Sequence, residues 1–170
     1  MIIKKFKGIW FYGMSGAGKS IASKFLKKKI KRSITIDGDK VRKYISFDLG
    51  YSIKDRKIQI LRVYGLIKLA VESDIFPIAS TVYMNKQIMQ KLKTNKILLV
   101  RITRNFNKIK NRKNIYNNKM VDVIGKDIQN PKLNKVFKIE NNKTINFFKK
   151  NIERLIHERW RGIFDIICKY

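Results

Sequence analysis

The sequence predicts an α/β fold, an open parallel sheet of about five strands flanked by helices, and two observations carry that prediction. Strand-like runs recur at residues 8–12, 33–37, 75–82, 97–102 and 136–140, separated by helix-length segments. Strands that alternate with helices pair in parallel, because each helix returns the chain to the same end of the sheet. The second observation is a complete G-x-x-x-x-G-K-[ST] run, Gly13-Met14-Ser15-Gly16-Ala17-Gly18-Lys19-Ser20, set between the first apolar run and a helix-like segment. Together they point to the P-loop nucleoside triphosphate hydrolase or kinase fold. The 170 residues make one domain, 1–170, large enough to bury roughly two-thirds of the unfolded surface.

Taken in order, Gly8-Ile9-Trp10-Phe11-Tyr12 reads as a buried strand. The segment after the loop places Ile21, Ala22, Phe25, Leu26 and Ile30 on one helical face. Between them, glycines let backbone N–H groups turn inward and approach phosphate oxygens, while the following helix adds the positive end of its dipole. Gly13, Ser15, Gly16, Ala17 and Gly18 are the expected ATP cradle; Lys19 would neutralise the β and γ oxygens and Ser20 would hold Mg²⁺.

The second strand ends in Ile36-Asp37-Gly38-Asp39, and Arg42 follows about a turn of helix later. C-terminal ends of strands line the crevice of an open α/β sheet, so these carboxylates should face the phosphate loop. Asp37 is then the candidate for two tasks, orienting Mg²⁺ through water and accepting the proton of an attacking hydroxyl. Asp39 reads as a helix cap.

Lys54 to Ser73 is the clearest helix: Ile58, Leu61, Gly65, Leu66 and Leu69 recur at helical spacing, and Gly65 should permit close packing. Residues 103–126 are polar and rich in Lys and Asn, which fits either a basic lid closing over phosphates or an ordinary pair of surface helices. Thr144 to Ile156 reads as a last amphipathic helix through Ile145, Phe148, Ile152 and Leu155. The tail beyond it carries Trp160, Ile163, Phe164, Ile166 and Ile167, and should pack back on the sheet or form a subunit contact in a homodimer.

Forty Lys plus Arg against twelve Asp plus Glu give a formal charge of +28, which favours anionic ligands. The basic residues are scattered among Ile and Asn; the densest cluster, Lys27-Lys28-Lys29 with Lys31-Arg32, sits at a helix C-terminus where cations suit the dipole. Scatter fits general anion attraction better than a dedicated nucleic-acid face. A single cysteine, Cys168, excludes an intramolecular disulfide framework. The N-terminal apolar stretch is short for a signal peptide and no membrane-length segment follows, so a cytoplasmic protein away from membranes is expected. His157 beside Glu158, and Cys168, have no triad partner and read as structural or exposed.

The phosphate loop, then Asp37-Gly38-Asp39-Lys40-Val41-Arg42, then Asp48-Leu49-Gly50-Tyr51-Ser52 and Asp55-Arg56 resemble the adenylylsulfate kinase family in order and spacing. Val123-Ile124-Gly125-Lys126-Asp127-Ile128 and Val136-Phe137-Lys138-Ile139-Glu140-Asn141 resemble that family's closing segments more loosely. The family transfers the ATP γ-phosphate to the ribose 3′-hydroxyl of a 5′-activated nucleotide. By position, the resemblance implies Asp37 as base, with Lys19 as its catalytic companion. It makes Arg42 and Arg56 clamps on the acceptor's 5′ group, Tyr51 a platform for its base, and Arg112 a neighbour of the ATP base. Asp39, Gln59, Val82 and Tyr83 complete the expected acceptor site. Arg56 and Gln59, three apart, share a helix face.

Departures fall where the acceptor should bind. Gln59 stands for the family's asparagine, Leu61 for an arginine, Val82-Tyr83-Met84 for Ile-Ser-Pro, and Val123 for a second stacking aromatic, while the family's lid motif is scarcely recognisable in residues 112–116. Tyr83 adds bulk and one stacking face is lost, which suits a pyrimidine better than a purine. The chain is similar in length and composition to the branch that phosphorylates cytidine diphosphoramidate in bacterial capsule phosphoramidate synthesis. That small-molecule nucleotide is the expected acceptor, and adenylylsulfate is the alternative. Two readings from other classes stand beside it, a basic P-loop polynucleotide kinase or nucleic-acid-binding protein, and a nucleotide-binding module without chemistry.

Overall fold

The structure is a computed structural model describing residues 5–110, 122–131, 133 and 136–155. Five strands form one parallel sheet in the order β2-β3-β1-β4-β5. They are β1 (Gly8–Tyr12), β2 (Ser33–Asp37), β3 (Phe76–Thr81), β4 (Ile97–Thr103) and β5 (Phe137–Glu140). The helices are α1 (Lys19–Lys29), α2 (Gly38–Tyr44), α3 (Ile53–Glu72), α4 (Lys86–Thr94), α5 (Phe106–Lys110) and α6 (Ile145–Arg154). All five expected strands are present, within a residue or so of their expected ends.

Burial explains the strand sequences. Central β1, β3 and most of β4 are buried on both faces and read as largely apolar runs. Edge strands β2 and β5 are partly exposed, at Ile34 and Thr35 on β2 and at polar Lys138 and Glu140 on β5. Successive side chains of β1 point to opposite sides. Ile9 and Phe11 enter a core with Ala22, Leu26, Phe148 and Ile152, beneath α1 and α6. Trp10 and Tyr12 enter a second core with Ile60, Val63, Ile67, Ile88 and Leu92, beneath α3 and α4. Each such fully buried side chain contributes about 1.5–3 kcal/mol against exposure.

Two helix faces differ from expectation. On α3 the buried residues are Gln59, Ile60, Val63 and Ile67, while Leu61 and Leu69 are 43% and 62% exposed. The stripe is rotated because β-branched Ile60, Val63 and Ile67 fill the space over Trp10 and Tyr12, and the leucines project outward. Gly65 lies on the exposed side, and a Cβ built there meets nothing within 4 Å, so it serves no close packing. On α1, Ala22 and Leu26 are buried but Ile21 is exposed. α6 matches its expected stripe through Phe148, Ile152 and Leu155, although Ile145 is exposed; Thr144 caps it by accepting from the Phe147 amide at 3.3 Å.

Of residues 103–126, expected as a lid, Thr103 is the last residue of β4, α5 carries buried Ile109, and Val123 and Ile124 are buried. Residues 111–121, with Arg112, lie outside the described residues, as does the tail from 156 onward with His157, Trp160 and Cys168. No helix among the described residues is long and apolar enough to cross a membrane.

Candidate active site

The C-terminal ends of the strands open on one crevice, where the sheet order reverses around β1. β1 delivers the phosphate loop. Gly13 has φ +146° and a Cβ there would overlap the Ile102 carbonyl oxygen of β4, so the loop can turn this close to the sheet only with glycine. Gly18 has φ +113°, and its Cβ would lie 2.5 Å from Asn141 Nδ2. That Asn141 amide, buried just past the end of β5, donates to the Ala17 carbonyl at 2.8 Å and pins the loop from the far side. Lys19 is buried and its ammonium donates to the Met14 carbonyl at 2.8 Å, folding the side chain back over the loop.

β2 delivers Asp37. Its Oδ2 accepts from Ser20 Oγ at 3.2 Å and from Ser80 Oγ at 3.0 Å, and its Oδ1 accepts from the Asp39 amide at 3.0 Å. Asp37 is therefore itself the N-cap of α2, and Asp39, the expected cap, instead lies in the first turn and supplies the capped amide. A cap oxygen fixed by a backbone amide leaves the other carboxylate oxygen aimed at the phosphate loop. Ser80 stands outside every motif of the sequence, yet its place beside Asp37 in the β2–β3 register identifies it.

A second group of residues gathers around Tyr51. Tyr51, 60% exposed, has the Arg42 guanidinium 4.7 Å from its ring centroid and that of Arg56 at 5.6 Å. Arg42 also donates to the carbonyls of Leu49, at 3.1 Å, and Gly50, which holds the 49–51 turn against α2. Arg56 Nη2 donates to the Asp122 carbonyl at 2.6 Å. Burial, and then the neighbouring Arg42 charge, lower the Arg56 pKa from its ordinary value. Both guanidinium groups lie against the one Tyr51 ring and the Arg42 charge acts on Arg56, so an anion beside them is favoured.

Gln59 is buried and donates from Nε2 to the Gly38 carbonyl at 3.0 Å, tying α3 to the Asp37 turn. Its Oε1, and Arg56 Nε, are buried without a hydrogen-bond partner. Such polar atoms are rare in folded interiors and gain most from a ligand. Val82, Tyr83 and Met84 follow β3; Tyr83 is only 5% exposed, and burial raises its phenol pKa against a partly compensating hydrogen bond with Asn85. Val123 is also buried. Thus Ser20 and Asp37 come together, with Lys19 next to Ser20 in the chain, and Arg42 and Arg56 come together at the Tyr51 ring. Asn130 and Asn141, to which the sequence assigns no role, hold the surrounding loops.

The fit to a divalent cation can be judged from the donors. Ser20 Oγ and Asp37 Oδ2 are hard oxygen donors side by side, the type Mg²⁺ prefers when phosphates and waters supply its remaining ligands. Among the described residues no group of three or more His, Cys, Asp or Glu could hold a metal by protein ligands alone.

The chain resembles known proteins in sequence and in fold. The chain is 36% identical over 90 residues to the adenylyl-sulfate kinase of Thermodesulfovibrio yellowstonii, covering 51% of this chain and 45% of the relative. It is 41% identical over 76 residues to that of Staphylococcus haemolyticus, covering 42% and 38%. The matched segment thus spans less than half the length of these curated relatives. The fold is shared with the Mycobacterium tuberculosis APS kinase CysC solved with AMPPNP and APS, at a TM-score of 0.76 and 19% identity over 89% of this chain and 98% of that one. It is shared also with a gluconokinase from Sinorhizobium meliloti, at a TM-score of 0.63 and 13% identity over 94% and 97%. Because the adenylylsulphate kinase family model matches residues 5–124, well over half of the 170, the chain belongs to the adenylylsulphate kinase family.

Proposed function

We propose that the chain is a phosphotransferase that moves the γ-phosphoryl group of ATP to the ribose 3′-hydroxyl of a 5′-activated nucleotide, with adenylylsulfate as acceptor. The observation that carries the reading is the contact of Asp37 Oδ2 with Ser20 Oγ at 3.2 Å, which sets a carboxylate at the mouth of a phosphate loop. The phosphates of ATP would lie along the amides of residues 13–18, and Lys19 would leave the Met14 carbonyl for the β and γ oxygens. Ser20 and, through water, Asp37 would hold Mg²⁺, which when bound neutralises phosphate charge. Asp37 accepts the proton of the acceptor hydroxyl and aligns it for in-line attack. Arg42 and Arg56 hold the 5′ group, and Tyr51 offers its ring to the base. Little covalent help is required, because positioning and charge neutralisation supply most of the rate in phosphoryl transfer.

The adenylyl-sulfate kinases among its relatives support adenylylsulfate over the cytidine nucleotide expected from the sequence. Cytidine diphosphoramidate stays as a second reading on one observation: Tyr83 and Val123, which stand for a serine and an aromatic of the family, are both buried within the fold, at 5% and 8% exposure. A smaller base tolerates both changes. A coupled ADP-release assay with Mg·ATP, offering each acceptor separately at equal concentration, decides between them by kcat/KM. Preference for adenylylsulfate supports the main reading, preference for the cytidine nucleotide supports the second, and no acceptor-dependent ADP release overturns both.

A further inference from the structure

We infer that Asn130 is a positioning residue that sets the acceptor specificity of this chain by clamping the Val82–Met84 turn. The inference rests on the acceptor site proposed above. The turn that follows β3 has three backbone groups that are each taken by a side chain. Asn130 Nδ2 donates to the Val82 carbonyl at 3.0 Å, and Asn130 Oδ1 accepts from the Met84 amide at 3.1 Å. Thr81 Oγ1 donates to the Tyr83 carbonyl at 2.9 Å and itself accepts from the buried Trp10 indole at 2.8 Å. One amide thus grips both sides of Tyr83, at a sequence separation that no local turn could supply.

The grip matters because of what Tyr83 does. Its side chain, only 5% exposed, is the bulkiest departure from the family on the acceptor side, and it lies close enough for the Arg56 charge to act on its phenol. The segment carrying Asn130 is fastened at its other end by Arg56 Nη2 on the Asp122 carbonyl at 2.6 Å. Asn130 and Arg56 therefore fix one segment at two points, to the turn after β3 and to α3. A carbonyl and an amide left unpaired there would each seek water, and the turn would loosen around the tyrosine. Both Asn130 bonds fall on the turn after β3 and neither on the phosphate loop, so the effect should fall on the acceptor and leave ATP untouched.

The test is steady-state kinetics of the full chain and two variants, with adenylylsulfate and cytidine diphosphoramidate as acceptors. Asn130→Asp keeps the shape and turns a carboxylate oxygen toward the Val82 carbonyl; Asn130→Ala removes both bonds without adding charge. Each variant should raise the acceptor KM about tenfold while the ATP KM stays within about twofold, the loss expected when a hydrogen-bonding group shielded from water loses its partner. The ratio of kcat/KM between the two acceptors should shift in the same direction in both variants. A merely structural role would raise both KM values together or lower the folded fraction, seen as a fall in ATP binding, without moving that ratio. An unchanged ratio in a folded variant overturns the inference while leaving the kinase reading intact. A wild-type chain that turns over neither acceptor overturns the reading beneath it, and the inference with it.

Discussion

Asp37 joins a structural task to the proposed chemical one in a single carboxylate. One oxygen caps α2 through the Asp39 amide, and the other meets Ser20 and Ser80. The two tasks ask different things of the side chain, since a cap needs only an acceptor atom whereas proton acceptance needs a charge. Asp37→Asn keeps an amide oxygen for the cap and loses the charge, so kcat should fall about 10²- to 10⁴-fold with little change in melting temperature. Asp37→Ala should match that kinetic loss and also remove the cap, costing about 1 kcal/mol, or about 2–4 °C in Tm for a chain of this size. Turnover at saturating substrates, with thermal unfolding of the same samples, separates the two tasks; wild-type kcat in Asp37→Asn would remove the carboxylate from the mechanism. At this scale the sequence is informative where a motif demands one residue type at one spacing, as at Ser20 and Asp37, which the fold brings together at 3.2 Å. It is silent on the roles of Asn130 and Asn141, because an asparagine that holds a distant backbone group carries no local pattern.

The elements show the same division. β1, β3 and β4 are legible because a strand buried on both faces must be apolar nearly throughout, and the helix α6 because its stripe faces one core. α3 is legible as a helix and not in its rotation. Apolar residues occur nearly all round it, and only the contacts with Trp10 and Tyr12 decide that Ile60, Val63 and Ile67 turn inward. Gly65 is the position where this rotation has a measurable consequence. It stands mid-helix on the exposed side with no atom near its missing Cβ, so it contributes flexibility to the unfolded chain and nothing to packing. Gly65→Ala should stabilise the protein by about 0.5–1 kcal/mol, read as a rise of about 1–4 °C in Tm, with kcat unchanged. A destabilised variant would mean that α3 packs through the face that the spacing of Leu61 and Leu69 first suggested.

Across the whole molecule the governing quantity is charge. Forty cationic side chains against twelve anionic ones leave a formal charge of +28, and ion pairs such as Lys29–Glu153 and Lys68–Glu72 are exposed. Exposed pairs contribute little, so most of this charge acts as mutual repulsion within the fold and as a field drawing anions to it. Salt should therefore act with opposite signs on stability and on substrate capture. Screening shortens the reach of each charge from about 10 Å at 0.1 M to about 3 Å at 1 M salt. Repulsion between lysines spread over the surface is lost first, and the Tm should climb as NaCl rises. The same screening weakens the attraction of a nucleotide toward the crevice, so the KM for ATP should rise several-fold between about 0.05 and 0.5 M NaCl, with kcat within about twofold. Contacts made at close range by Lys19, Arg42 and Arg56 are screened far less, because they lie within a few ångströms of the phosphates they would hold. A KM for ATP that ignores salt while the Tm climbs would assign ATP capture to close-range contacts such as that of Lys19 and make the remaining cationic surface irrelevant to that substrate.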